Sequence, residues 1–236
     1  MPPDAAQEFG GTGNRMEYRH DVLIIGGGAV GCAIAYTLAR YDMDIGLVEA
    51  RHDVCRGTSA KNSGVVHAGF NNRPGSLMAQ LCVEGCAGFG AACETLDVPY
   101  KKTGKLVVAL NEDDLPIVDN LIKIGEKNGC TGLSRIDTQR VRELEPHAGG
   151  VGAMLSRDTA ITNPFLYTIH LANAAHHNGA AFYFDRPVTA IEKRKGGFRV
   201  TAGEDTFVCD ILINSAGLYA DQIAALAGDD QYKIYP

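Results

Sequence analysis

No C-x-x-C pair occurs among the seven cysteines, Cys32, Cys55, Cys82, Cys86, Cys93, Cys130 and Cys209. An odd count without a framework spacing points to reduced thiols and a cytoplasmic protein. Cys82, Cys86 and Cys93 follow a helical spacing, but free cysteine commonly packs as a small hydrophobe, so no metal site is assigned there. Basic residues are in deficit, 22 Lys and Arg against 28 Asp and Glu for a net charge of −6. That balance argues against a nucleic-acid partner, which a basic face would serve. Neither G-x-S-x-G nor H-E-x-x-H occurs, so the usual signatures of a hydrolase nucleophile and of a zincin are missing. Internal repeats, low-complexity tracts and a three-residue glycine period are also missing, which excludes collagen. The opening Met-Pro-Pro-Asp-Ala-Ala-Gln-Glu lacks the basic start and apolar stretch of a signal peptide.

Long charge-free runs are scarce, and one needs a decision. Val22 to Ala39 is 18 residues without a charge, at the threshold for a membrane span. Gly26-Gly27-Gly28 lies inside it, and each glycine in a helix interior costs about 1 kcal/mol relative to alanine. A strand, a glycine turn and a helix account for the same residues better. No transmembrane segment is expected, which leaves room only for peripheral membrane association.

What is present is a core and an excess of glycine. Apolar residues make up 45% of the 236, enough for a sizeable core in one large domain or two small ones. Glycine, at 28 residues, serves turns and close backbone approach. Residues 1–15 read as a loose tail. Val22–Ile25 reads as a buried strand, Ala29–Arg40 as a helix and Ile45–Val48 as a second buried strand ending at Glu49, which is a β-α-β unit. The pattern breaks from Ala50 to Asn72. Ser76 is placed to cap a helix through about Leu96. One or two strands around Gly104 follow, then an amphipathic helix over 113–128 with Leu115, Val118, Leu121 and Ile122 on one face. A short helix closes at Glu145-Pro146, and Val151–Ser156 is a strand. A helix opens at Pro164 and runs to Asn178. Strands are expected at 182–184, 188–193, 198–201 and 207–214, and a last helix over 220–227.

Gly26-Gly-Gly28-Ala29-Val30-Gly31 fits G-x-G-x-x-G. The pattern alone is weak, but here it follows a strand and opens a helix, and Glu49 lies 18 residues beyond Gly31 at the end of the next strand. That context is the one a dinucleotide fingerprint requires. Gly26 allows the tight turn, Gly28 lets the backbone approach a pyrophosphate, and Gly31 lets the helix pack against the strand. The helix N-terminus offers N–H groups and partial positive charge to phosphates. Glu49 can accept hydrogen bonds from both ribose hydroxyls. The β-α-β unit does not separate nicotinamide from flavin, since both cofactors carry ADP. The following Gly57-Thr58-Ser59-Ala60-Lys61-Asn62-Ser63-Gly64 suits a second phosphate and a flavin ring, though a solvated loop has the same composition.

These residues carry a resemblance. The fingerprint, Glu49, the stretch from Thr58-Ser59 through Asn62-Ser63-Gly64-Val65-Val66-His67-Ala68-Gly69, and Ile213-Asn214-Ser215-Ala216-Gly217-Leu218-Tyr219-Ala220-Asp221 are similar to FAD-dependent oxidoreductases of the D-amino-acid-oxidase type. Pro74-Gly75-Ser76-Leu77, Leu81-Cys82-Val83-Glu84-Gly85 and Asn163-Pro164-Phe165 resemble the branch of the glycerol-3-phosphate and L-2-hydroxyglutarate dehydrogenases. The resemblance implies a doubly wound α/β FAD domain, split in sequence, with a partial β-rich substrate domain inserted. The expected division is 16–97 and 161–236 for FAD and 98–160 for the insertion.

The resemblance also implies roles. Gly26, Gly28 and Gly31, with Ala29 and Val30 between them, would hold the FAD pyrophosphate, and Glu49 the ribose. Ala50 and Arg51 follow the strand beside the adenosine. Thr58, Ser59, Asn62 and Ser63 would line the stretch from pyrophosphate to flavin. Val188 would meet the adenine through its backbone, or is an ordinary core valine. Ala216 and Gly217 would end a strand beneath the cofactor. His67 has three readings: a general base, for which histidine's ordinary pKa near 6.5 is suited; a covalent flavin tether; or a core histidine bonded to backbone. The substrate would be a small molecule, glycerol phosphate or a hydroxy acid, with an unidentified electron acceptor. The rival readings are an amine or amino-acid oxidase, a non-catalytic FAD-binding fragment, and an NAD-dependent dehydrogenase. Phe70 departs from the tyrosine common after His-Ala-Gly. The chain stops at Lys-Ile-Tyr-Pro where such proteins continue, so it is expected to be a fragment, inactive by itself. Two further clusters are assigned no ligand: Arg73 with Lys101, Lys102 and Lys105 reads as a solvated basic edge, and His176-His177 as the C-terminal end of a helix.

Overall fold

A computed structural model describes residues 15–235; most of the expected tail lies outside the described residues. In chain order the elements are β1 (Glu17–Ile25), α1 (Ala29–Leu38), β2 (Ile45–Val48), β3 (Val65–Val66), α2 (Leu77–Thr95), β4 (Tyr100–Lys101), β5 (Lys105–Ala109), α3 (Leu115–Lys127), β6 (Leu133–Asp137), α4 (Thr138–Leu144), β7 (Gly152–Ser156), β8 (Ala160–Thr162), α5 (Pro164–His177), β9 (Ala181–Tyr183), β10 (Val188–Arg194), β11 (Gly197–Ala202), β12 (Asp205–Asn214) and α6 (Ala220–Leu226). The chain divides into two compact units. One joins the chain up to Asn62 with the chain from Pro164, and the other is Ser63–Asn163.

The first unit is built on a six-stranded sheet in the order β10-β11-β12-β1-β2-β9. β12, β1, β2 and β9 run parallel, while β11 and β10 add an antiparallel hairpin at one edge. Both faces of the parallel part are covered there, so Val22–Ile25, the second half of β1, reads as a continuous apolar run rather than an alternating one. Leu23 and Ile25 pack on one side with Val48, Val200 and Phe207. Val22 and Ile24 pack on the other with Ala35 of α1, Leu47, and Ala175 of α5. The charge-free run Val22–Ala39 is therefore strand, turn and helix. Among the described residues no helix is long and apolar enough to cross a membrane.

Near the middle of β1, His20 is buried, with Nδ1 at 2.8 Å from Asp44 Oδ1 and Nε2 at 3.0 Å from the Tyr183 hydroxyl. A Cβ on Gly46 would come within 2.5 Å of this ring. The glycine inside the short apolar strand β2 is thus the space that the histidine of the neighbouring strand occupies.

The second unit holds two three-stranded sheets, β3-β8-β4 and β5-β7-β6. α3 packs its expected face on the latter: Val118 is buried, and Leu115, Leu121 and Ile122 join a cluster with Ala109, Met154 and Phe70. Phe70 is 4% exposed, so this position works as an apolar core side chain. Ser76 caps α2, its hydroxyl accepting from the Ala79 N–H at 3.2 Å. The unit boundary at 62/63 falls earlier than the division expected at 97/98. α2 belongs with the insertion: it packs on β4, and its Cys93 thiol lies 3.6 Å from the Thr162 hydroxyl of β8.

Candidate functional site

The glycine turn between β1 and α1 is fixed from three directions. Gly26 has φ +106°, and a Cβ there would come within 2.6 Å of the Ser215 carbonyl oxygen and 3.1 Å of Ala216 Cα, so β12 closes against the turn. Ser215 Oγ donates to the Ile25 and Gly26 carbonyls at 2.8 and 3.2 Å. A Cβ on Gly31 would overlap the Gly26 carbonyl oxygen, so α1 starts hard against the turn it leaves. Gly28 differs: a Cβ there would meet only the Ser59 hydroxyl, at 3.3 Å. The chain is open at the one glycine through which a ligand would approach the backbone.

Gly28 is the N-cap of α1 and offers no side chain, and the first turn holds no acidic residue. The leading N–H groups of a helix have no intrahelical acceptor. Ser59 serves one of them, its Oγ accepting from the Ala29 N–H at 2.9 Å. Ser59 lies in a 3-10 turn, Thr58–Ala60, whose form Asn62 fixes by donating from Nδ2 to the Thr58 and Ser59 carbonyls at 3.2 and 2.9 Å. Val30 is 65% exposed, so the side chain between the fingerprint glycines points away from the core.

Glu49 sits at the end of β2. Its Oε2 accepts from the Gly27 N–H at 2.7 Å and its Oε1 from the Arg51 N–H at 2.9 Å. Each oxygen keeps capacity for another donor. The backbone around it is paired with the approach to β10: Arg186 N–H donates to the Glu49 carbonyl and Asp185 N–H to the Arg51 carbonyl, at 2.9 and 3.0 Å. Val188, two residues on, begins β10 half-buried against the sheet core. The structure thus brings Gly26, Gly28, Gly31, Glu49, Arg51, Ser59, Ala216 and the neighbourhood of Val188 around one turn. Thr58, Ala50 and Gly217 lie on the exposed side of the same loops.

Cys32 occupies the first turn of α1, a position where the helix dipole ordinarily favours a thiolate. Burial prevails and pushes its thiol up to about 12, with Cys55, Glu49 and Asp53 adding to the shift. Its Sγ donates to the Gly27 carbonyl at 3.5 Å, so it is a protonated packing group.

Ser63 and His67 belong to the other unit. Both are exposed, and the His67 ring makes no hydrogen bond among the described residues, unlike a core histidine bonded to backbone. Of the remaining clusters, Lys102 pairs with Asp158 at 3.4 Å and Lys105 lies over the Phe70 ring. His176 and His177 each spend Nδ1 on a backbone carbonyl, of Ala180 and Asn173. Sequence reasoning passed over Ser215 and Gly27. Ser215 lies inside a quoted motif, and its position just past an apolar strand is the signal that marks it.

A strand, a glycine turn, a helix N-terminus and an acidic strand end define a dinucleotide-binding unit. The family described as "FAD dependent oxidoreductase" (DAO) matches residues 21–236, and the chain belongs to it. The chain is 34% identical over 218 residues to a glycerol 3-phosphate dehydrogenase of Caloramator mitchellensis, covering 92% of this chain and 45% of that protein. It is 37% identical over 226 residues to the mitochondrial L-2-hydroxyglutarate dehydrogenase of Caenorhabditis elegans, covering 92% and 52%. The structure superposes on the dithionite-reduced, FAD-bound L-alpha-glycerophosphate oxidase of Mycoplasma pneumoniae with a TM-score of 0.84 and 30% identity, over 91% of this chain and 58% of that one. The chain spans about half the length of the curated relatives it matches.

Proposed function

We propose that this protein holds FAD and works in the oxidation of a hydroxyl-bearing carbon, of sn-glycerol 3-phosphate or an L-2-hydroxy acid. The observation that carries the reading is the open cradle at Gly28 and the α1 N-terminus, next to the Gly27 N–H that the Glu49 carboxylate accepts, in a chain 34% and 37% identical to two such dehydrogenases. The residues fit the cofactor. N–H groups at the start of α1 would hold the pyrophosphate, and Glu49 would accept ribose hydroxyls on the capacity its oxygens retain. Ala50 and Arg51 would flank the adenosine, with the Val188 backbone at the adenine. Thr58, Ser59, Asn62 and Ser63 would line the course toward the flavin, and Ala216-Gly217 would lie beneath it.

Bound FAD supplies the acceptor for the hydride that leaves the carbinol carbon. The chain's own part is to place the nucleotide and to take the hydroxyl proton as the C–O bond becomes a carbonyl. We assign that proton to His67, whose ring is exposed and free of partners among the described residues. A separate electron acceptor completes turnover. The cytoplasm is the proposed location, supported by seven free thiols, with any membrane contact peripheral.

The test is the visible spectrum of the purified full-length protein, release of FAD by heat, and anaerobic mixing with sn-glycerol 3-phosphate, L-2-hydroxyglutarate and amino acids. The expected result is a yellow protein whose flavin band bleaches with one of the two hydroxy compounds. A colourless protein that binds NAD and ignores FAD overturns the flavin reading, and bleaching by amino acids alone overturns the substrate class.

A further inference from the structure

β3 ends at Val66, so the backbone carbonyls of His67, Ala68 and Gly69 have no strand ladder to join. Ala68 and Gly69 are buried and their carbonyls need donors; side chains reach these two and the exposed His67 carbonyl, and the Asn72 N–H adds a 3.4 Å bond to Gly69. Cys82 of α2 donates from Sγ to the His67 carbonyl at 3.3 Å. Cys130, in the turn after α3, donates from Sγ to the Ala68 carbonyl at 3.0 Å. Asn128, at the end of α3, donates from Nδ2 to the Gly69 carbonyl at 3.0 Å and to the Asn72 carbonyl at 2.9 Å. Its Oδ1 is buried and has no partner among the described residues, so both N–H groups are committed to the segment at the cost of a stranded acceptor.

The rest of the segment is equally constrained. Gly69 has φ +88°, and a Cβ there would come within 2.9 Å of Val83. Phe70 is sunk in the core beside Gly125 of α3. Burial raises the Cys130 thiol above its ordinary range, with the charges of Cys82, Cys86 and Asp158 acting the same way. The thiol therefore remains protonated, the form that can donate.

We propose that Asn128, seconded by Cys130 and Cys82, is a positioning residue for His67: its amide fixes the 67–72 backbone from which the imidazole is presented. This rests on the reading of His67 as the group that takes the hydroxyl proton. Catalytic groups must be held within about 0.5 Å, and a displacement of about 1 Å costs on the order of a hundredfold in rate.

The test uses the flavin-loaded full-length protein and four variants: Asn128→Leu, Cys130→Ala, Cys130→Ser and His67→Ala. Amide hydrogen exchange over 67–72 is measured beside the rate of flavin reduction and the substrate concentration at half-saturation. Asn128→Leu should speed exchange in that segment and slow reduction about tenfold or more, with half-saturation unchanged. Cys130→Ala should do the same more weakly, and Cys130→Ser, which keeps a donor, should restore both. Wild-type exchange in Asn128→Leu overturns the proposal. So does a wild-type reduction rate in Asn128→Leu when His67→Ala is slow. A wild-type rate in His67→Ala itself overturns the assignment of the base, and the positioning role falls with it, whatever the exchange data show. If Asn128→Leu does not fold, the Cys130 pair carries the same comparison.

Discussion

The Glu49 carboxylate accepts the Gly27 N–H at 2.7 Å, tying the end of β2 to the glycine turn that leaves β1. One side chain therefore shapes the turn and, in the proposed complex, meets the ribose. Removing it should act on both. Charge-assisted hydrogen bonds contribute roughly 1.5–3 kcal/mol, so Glu49→Ala is expected to weaken FAD binding about ten- to a hundredfold. It should also lower the melting temperature of the FAD-free protein, because the Gly27 and Arg51 N–H groups lose their acceptor. Titration with FAD and a thermal melt without it separate the two effects. Unchanged affinity in a folded variant removes Glu49 from the site.

The fingerprint glycines should fail differently. A Cβ on Gly31 overlaps the Gly26 backbone carbonyl, and a turn pinned by Ser215 has no room to retreat. Gly31→Ala is expected to destabilise the fold by about 3 kcal/mol, the upper part of the overpacking range. A Cβ on Gly28 meets only the flexible Ser59 hydroxyl at 3.3 Å. Gly28→Ala should melt near the wild-type temperature and still lose FAD affinity, since the methyl group takes the space of the approaching phosphate. Equal melting temperatures for the two variants would contradict this account of the turn.

How much of this was legible from sequence follows from the range of the interactions. The sequence marks β2 to the residue and α1 to within two residues at its end, because local apolar runs and glycine punctuation set them. The apolar run marks β1 only from Val22, but the strand begins at Glu17: Glu17–His20 pair with Thr206–Cys209 of β12, almost two hundred residues away. β3, which falls in the stretch where the pattern breaks, and β6 and β8 carry no strand signal in the sequence. Leu133–Asp137 and Ala160–Thr162 are short and half-polar, and their pairing with β7, β3 and β4 is tertiary. At the site, the glycines and Glu49 follow from motif spacing. Ser215 closing the turn, and Ser59 capping α1 across 30 residues, depend on where the chain returns.

Asp205 is 3% exposed and accepts from Arg186 Nε at 2.6 Å and from the Met16 N–H at 3.1 Å. Arg186 is also the residue whose N–H holds the Glu49 carbonyl, two positions before Val188. Breaking a buried pair by removing one partner strands the other charge, at about 3–5 kcal/mol. Arg186 is itself partly exposed, so Arg186→Met is expected at the lower end, about 3 kcal/mol. Chemical denaturation measures it. A loss no larger than that of a surface substitution would mean that water reaches Asp205 and that the pair does not organise the approach to β10.

Alkaline pH should weaken the first unit through its buried thiols. Burial raises Cys32 from 9.0 to about 12, and Cys209 from 9.0 to about 11. Below the unfolded value near 9 both states are protonated, and the thiols contribute their full stability. Between about 9 and 12 the unfolded chain releases the Cys32 proton while the folded chain retains it, so the folded state binds more protons and stability falls as pH rises. The slope is about 1.4 kcal/mol per pH unit for each thiol so affected. Cys32 is 0% exposed, which leaves solvent little means of relieving the cost. Denaturation midpoints at pH 8, 9, 10 and 11 should therefore decline for the wild type and decline less steeply for Cys32→Ala, after its constant cavity penalty is subtracted. The same burial makes Cys32 unreactive toward alkylating reagents at pH 8 until the protein unfolds. Parallel stability curves for the two proteins, or fast alkylation of Cys32 in the native state, would show that the start of α1 admits solvent and that its dipole, not burial, governs the thiol.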